Sequence, residues 1–220
     1  MRRPRSVGSA QAPSGSNSTA PVFELHCARL DPLDVNGFSH NIRSRYGRHS
    51  GALRHYAQVA RYWSGAFSRF ERVDWTRARR VVFVCSGNIC RSAYAECKAR
   101  SLGLNASSFG LNASPGLQAN QTAVETAARR GIDLSLHRTS SPETVVISGA
   151  DLITVMEPAQ GEAVRNLAEA CGAQVTVLGL WRRPPRPHLE DPFGLSDEYF
   201  ETCFGIIDEA VARLARMMRV

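Results

Sequence analysis

Lysine is all but missing from this sequence: of 27 basic residues only Lys98 is not an arginine, a bias that no structural consideration explains. Cysteine is sparse too. The six lie at positions 27, 85, 90, 97, 171 and 203, spacings that form neither the paired sets of a zinc site nor the framework of a small disulfide-rich domain, so a reducing compartment is expected. No apolar run approaches the roughly twenty residues that a membrane-crossing helix needs. Residues 1–22, MRRPRSVGSAQAPSGSNSTAPV, begin basic but run into Ser, Gly, Asn and Pro, with no apolar stretch of signal-peptide length. The cytoplasm is therefore the expected compartment. No internal repeat is present.

What is there suffices for one main domain: 220 residues, 43% of them hydrophobic. The formal charge of +7 is uneven, because residues 1–80 carry 14 arginines against five acids, while the remainder carries 13 basic residues against 15 acids. A basic front segment can meet nucleic acid, an anionic membrane or an acidic protein, but its composition reads first as a solvated tail, and no nucleic-acid partner is expected. Residues 1–22 have too little apolar surface to offset their ordering entropy and are expected to be disordered. Between Ser50 and Phe70, Leu53, Tyr56, Ala60 and Trp63 recur at spacings of three and four, one face of an amphipathic helix, with Arg54, Gln58 and Arg61 opposite. That apolar stripe is expected to dock on the main domain. The division expected is a front extension over residues 1–78 and a main domain over 79–220.

From Arg80 short apolar runs alternate with helical stretches. RRVVFVC, ADLITVM and QVTVLGL read as strands, and AYAECKARSLGL, TAVETAARRG, EPAQGEAVRNLAEACG and SDEYFETCFGIIDEAVARLARMM as helices, with a Gly/Ser/Asn-rich turn between the first two helices. Strands separated by helices pair in parallel through right-handed crossovers, which gives a doubly wound α/β domain. Such sheets bind ligands beyond the carboxyl ends of their strands, so the loop opening at Cys85 is the first candidate site.

That loop reads Cys85-Ser86-Gly87-Asn88-Ile89-Cys90-Arg91-Ser92. A helix beginning there offers unpaired N–H groups and the positive end of its dipole to an anion, and Gly87 is expected to let the backbone curl around it. The same field favours a thiolate, the nucleophilic form of cysteine. Arg91 can grip two phosphate oxygens with its planar fork, which a lysine would do less well.

With these residues in their strand–loop–helix setting, the segment resembles the low-molecular-weight protein tyrosine phosphatase family, whose loop runs C-x-G-N-x-C-R-S. The resemblance extends from about Val81 to the C-terminus. It implies an α/β fold with a doubly wound, four-stranded parallel sheet carrying helices on both faces, and a reaction that hydrolyses phosphotyrosine through a phosphocysteine. It also implies Cys85 as nucleophile, Arg91 as phosphate clamp, Asn88 as the residue holding the loop's strained shape and Ser92 as a hydroxyl on the thiolate. Ser86, Gly87, Ile89 and Cys90 complete the phosphate-binding loop. Tyrosine leaves as a neutral phenol only if a general acid protonates it. The family places that acid in an Asp-Pro pair about a hundred residues downstream, and Asp191-Pro192 fits, with Pro192 keeping Asp191 out of helical geometry. Glu190 is a weaker competitor. His137 falls where the family has a histidine supporting the loop asparagine. No metal or organic cofactor is implied. The partner implied is a phosphotyrosine protein, such as the autophosphorylating bacterial tyrosine kinases on which members of the family act.

The sequence departs from the family where Ala93 stands for a proline after Arg-Ser, and where Phe193 and Gly194 replace Tyr or Trp. Arsenate reductases of the same fold need two further cysteines, seven apart, some seventy to eighty residues beyond the nucleophile, and that window holds none. Phosphoarginine enzymes carry Thr at the position of Ile89. A phosphotyrosine-binding scaffold is the reading from another class, and the intact Cys-Arg-Asp set speaks against it. Whether Cys85 and Cys90 form a protective disulfide stays open.

Overall fold

The computed structural model describes residues 35–219, so the expectation of disorder over residues 1–22 lies outside the described residues. In chain order the elements are α1 (Val35–Tyr46), α2 (His49–Trp63), α3 (Ser68–Glu71), β1 (Arg80–Cys85), α4 (Arg91–Ser101), β2 (Ala106–Gly110) and α5 (Gln121–Arg129). There follow β3 (Asp151–Val155), α6 (Pro158–Ala163), α7 (Arg165–Cys171), β4 (Gln174–Val177), a 3-10 turn (Leu178–Trp181) and α8 (Asp197–Met217). Among the described residues no helix is long and apolar enough to cross a membrane.

The sheet is four-stranded and parallel, in the order β2-β1-β3-β4. Val81 to Val84 are wholly buried, because a strand covered on both faces reads as a continuous run of β-branched and aromatic residues. The register sets Cys85 beside Gly110 at the carboxyl end of β1 and β2, and Val84 beside Val155 on β3. One core lies under α4, α5 and α8, where Val81 and Phe83 meet Tyr94, Phe204, Ile207 and Val211. The Tyr94 and Phe204 rings stack at 3.9 Å. The other core joins Val82, Val84, Ile153 and Val155 to Phe67, Phe70, Val164 and Ala168.

Three local readings are corrected. The stretch expected as a Gly/Ser/Asn-rich turn contains β2, whose only large apolar residue, Phe109, is buried, and whose Ser108 hydrogen-bonds Asn88 of the neighbouring loop. The single helix expected over EPAQGEAVRNLAEACG is two, α6 and α7, meeting at Val164. Finally, α2 turns its expected docking stripe outward, with Leu53, Tyr56 and Trp63 exposed at 73%, 61% and 78%. Its inner side carries Gly51, His55, Val59 and Tyr62 instead. Polar and steric demands set that rotation: Arg54 pairs with Glu190, and a Cβ on Gly51 would stand 2.2 Å from the Tyr46 carbonyl oxygen.

Candidate active site

Cys85, 3% exposed, closes β1, and the chain makes one tight loop before α4 opens at Arg91. The Cys85 Sγ accepts the Asn88 N–H at 3.2 Å and lies 3.0 Å from Ser92 Oγ. The loop's left-handed residue is Asn88, at φ 56°, and not Gly87, which the sequence suggested as the pivot. Asparagine is among the few side-chain-bearing residues that tolerate this region, at a cost on the order of 1–2 kcal/mol. The surroundings over-determine it. Asn88 Nδ2 donates to Ser92 Oγ at 2.8 Å and Ser108 Oγ at 2.7 Å, its Oδ1 accepts the Ser140 N–H at 2.8 Å, and its carbonyl oxygen lies 2.8 Å from His137 Nε2. Behind them Ser108 donates to Glu96 at 2.5 Å, and Arg100 pairs with Glu96 at 2.6 Å. Asn88, Ser92, Ser108 and Glu96 are all buried, so the bonds among these four are made without competition from water.

Arg91 is 1% exposed. Its Nη1 donates to the Leu189 carbonyl at 2.8 Å and to Glu157 at 3.0 Å, and its Nη2 to Asp191 Oδ2 at 2.6 Å. Its Nε is buried with no partner among the described residues. Burial works against the charge, but Asp191, Cys85 and Glu157 outweigh it and hold the guanidinium above the ordinary arginine range. Asp191 accepts the Phe193 N–H at 3.2 Å through its other oxygen and stays 43% exposed at the rim. Cys85, Ser86, Gly87, Ile89, Cys90, Asn112, Asp191 and Phe193 line one cavity of about 200 Å³. A larger groove, about 330 Å³, lies over Phe70, Gly161 and Val175 and contains none of the loop. Chemically, the small cavity joins a thiol, the loop that leads into a helix start and a carboxyl that reaches solvent, a set able to support nucleophilic attack on a bound anion. Among the described residues no group of three or more His, Cys, Asp or Glu could hold a metal ion.

The sequence pattern described as low molecular weight phosphotyrosine protein phosphatase matches residues 80–219. The chain belongs to that family. It is 33% identical over 135 residues to the probable low molecular weight protein-tyrosine-phosphatase EpsP of Ralstonia nicotianae, a match covering 60% of this chain and 91% of that protein. It is 29% identical over 146 residues to the protein-arginine-phosphatase of Bacillus subtilis, covering 63% and 96%. Among solved structures it is similar to the tyrosine phosphatase Wzb from Escherichia coli K30 in complex with sulphate, with a TM-score of 0.55, 27% identity, and coverage of 63% of this chain and 97% of that one. Helices α1 to α3 precede the matched region of this phosphatase.

The candidate residues thus converge: Cys85 and Asp191 face one cavity, Arg91 bonds Asp191 directly, and His137 supports the carbonyl of Asn88. Glu190 does not join them. Its carboxylate pairs with Arg54 at 3.0 Å and lies 3.0 Å from His188 Nε2. Cys85 and Cys90 are both free thiols, and burial pushes the Cys90 thiol well above the ordinary cysteine range. Sequence reasoning missed Ser108, Glu96, Ser140, Glu157 and Gly110. Only Gly110 carried a signal, a glycine ending a serine-rich run: a Cβ there would stand 2.7 Å from the Asn88 nitrogen.

Proposed function

We propose that this phosphatase hydrolyses phosphotyrosine in proteins by two displacements at phosphorus, with Cys85 as nucleophile, Arg91 as phosphate clamp and Asp191 as general acid, then base. The observation that carries the reading is the meeting of Cys85 and Asp191 in one cavity, with Arg91 bonded to Asp191 and keeping one buried N–H unpaired. In the first step the Cys85 sulfur attacks phosphorus, the bond to the tyrosine oxygen breaks, and Asp191 hands that oxygen its proton. In the second a water attacks the phosphocysteine, the Asp191 carboxylate takes the water's proton, and the sulfur leaves as the thiolate with inorganic phosphate released. The Asn88 N–H and the Ser92 hydroxyl, both at the sulfur, stabilise the thiolate at the start and end of the cycle. Ser86, Gly87, Ile89 and Cys90 contribute the loop backbone around the phosphate.

Ile89 and Phe193 give the cavity apolar walls that suit an aromatic ring, which favours phosphotyrosine over phosphoarginine. The catalytic parts all fall within residues 79–220. The partner proposed is a phosphotyrosine protein of the cytoplasm, with an autophosphorylating tyrosine kinase as the first candidate. The test is hydrolysis of p-nitrophenyl phosphate from pH 5 to 8 in the presence of a chelator, followed by phosphotyrosine and phosphoarginine peptides. Cys85→Ser should abolish turnover of every substrate, and Asp191→Asn should cost about 100-fold or more in kcat/KM on the phosphotyrosine peptide, whose leaving group needs protonation, the usual share of a general acid. Folded, reduced wild type without turnover would refute the reading, and faster hydrolysis of phosphoarginine would refute the substrate assignment.

A further inference from the structure

We propose that Arg54, on α2 and outside the family match, is a positioning residue for the general acid. The inference rests on the catalytic reading above. Arg54 reaches from the surface, its side chain 55% exposed, and one nitrogen, Nη1, donates to both oxygens of Glu190 at 3.0 Å. The Glu190 side chain is only 10% exposed, and it immediately precedes Asp191 in the chain.

The segment His188–Asp191 is held residue by residue. His188 Nε2 lies 3.0 Å from Glu190, and its Nδ1 lies 3.6 Å from Glu157, which in turn accepts from Arg91. The Leu189 carbonyl and the Asp191 carboxylate both accept from Arg91. The Tyr199 hydroxyl donates to the Glu190 carbonyl at 3.3 Å. Glu190 is thus the point at which the acid's segment is fastened to a helix that precedes the family match. Gly51, one turn before Arg54, lies against the same carboxylate, since a Cβ there would stand 3.4 Å from Glu190 Cδ. Removing the guanidinium leaves a buried carboxylate with His188 as its one remaining side-chain partner among the described residues, and a buried charge without its counter-ion reorganises toward water. A Glu190 side chain moving outward pulls on the peptide it shares with Asp191. The acid then loses its aim, while the thiolate and its loop are untouched.

The test uses the full chain and two aryl phosphates, one with an acidic leaving group (p-nitrophenol) and one with a poor leaving group (phenol), because only the second depends heavily on protonation. Arg54→Gln should lower kcat/KM for phenyl phosphate about tenfold and for p-nitrophenyl phosphate by about twofold, as expected for a displacement of less than an ångström. Arg54→Lys should restore most of the loss, because a single ammonium can serve both oxygens as Nη1 does. The pair Arg54→Gln with Glu190→Gln should also recover, because no buried charge remains. The proposal is overturned if folded Arg54→Gln hydrolyses phenyl phosphate like wild type, or if both substrates slow equally in step with a lower melting temperature. Asp191→Asn is measured alongside. If it matches wild type, the assignment of the acid itself fails; if it is slow while Arg54→Gln is normal, only the role of Arg54 does.

Discussion

Gly110→Ala is the substitution whose effect follows most directly from the geometry. Gly110 ends β2 beside Cys85, and its N–H is fixed to the Ser140 carbonyl at 2.9 Å. An added Cβ would stand 2.7 Å from the Asn88 nitrogen and 2.8 Å from both the Gly87 carbonyl carbon and the Ala113 Cβ. Ordinary contact begins near 3.4 Å, so the phosphate-binding loop or the end of β2 must retreat by about 0.7 Å. Neither yields easily, because Asn88 is tied by its carbonyl and both side-chain amide atoms. Overpacking of this kind costs about 1–3 kcal/mol, which for a domain of this size lowers the melting temperature by roughly 3–10 °C. A displacement approaching an ångström at the nucleophile should cost about 100-fold in kcat/KM. The assay is steady-state hydrolysis of p-nitrophenyl phosphate with a thermal melt on the same preparation, and Gly65→Ala as control. Gly65 has a positive φ, 78°, which Gly110 does not, and nothing lies within 4 Å of its Cβ position, so that variant should lose stability through backbone strain alone and keep its kcat/KM. Gly110→Ala with wild-type kcat/KM, or with a loss no larger than that of Gly65→Ala, would refute the reasoning.

Two further outcomes follow from the same contacts. Asn88→Gly keeps the left-handed turn and loses the three side-chain bonds, whereas Asn88→Ala loses both. Both should be slow in p-nitrophenyl phosphate turnover, with Ala melting below Gly by the equivalent of about 1 kcal/mol; equal melting temperatures would show that backbone strain at Asn88 is unimportant. His55 has its pKa lowered from 6.5 to about 4 by burial first, then by the nearby Arg186, His188 and Arg182. The unfolded chain therefore binds this proton more readily between pH 4 and 6.5, so the stability His55 contributes is complete above pH 6.5 and is lost as pH falls toward 4. Melting temperatures measured from pH 7 to 4.5 should fall less steeply for His55→Gln than for wild type, and parallel slopes would exclude the assignment.

The β1–loop–α4 unit was legible because its determinants are contiguous: a run of buried strand residues, a short loop whose residue pattern resembles the family's, and a helix start. Asp191 was singled out by the resemblance, which places the acid in an Asp-Pro pair; the proline restricts the backbone there, but by itself it would have read as an ordinary turn. β2 was hidden because the residues that would have marked it as a strand were given other work. Ser108 sits between Asn88 and Glu96, so the strand sacrifices hydrophobic patterning to hold the loop. The rotation of α2 was hidden by distance. Its apolar stripe is a real helical pattern, but the orientation is set by Arg54 and a carboxylate 136 residues away, and no periodicity within the helix reports that partner.

The front helices also show that the unit that folds and the segment that reacts need not begin at the same residue. The family match starts at residue 80, yet the second face of the sheet is covered by Phe67 and Phe70, at 1% and 5% exposure, and Gly161 lacks a side chain where Phe70 lies against α6. The Phe70 carbonyl accepts from Thr176, and Asp74 exchanges hydrogen bonds with the Gln174 side chain, so residues 70–74 shield the edge strand β4 from further pairing. At the other end, Arg186 donates to the Arg45 carbonyl and stacks over Tyr46, and Thr202 donates to the Ser44 carbonyl. The front segment thus contacts the sheet edge, the second core, α8 and the approach to the acid's loop. Edge and core contacts are what any cover would provide; the contact with Glu190 is not, because it ends one residue from Asp191, the proposed general acid. On the proposal above, that contact makes α2 more than a cover, because Arg54 reaches the residue next to Asp191.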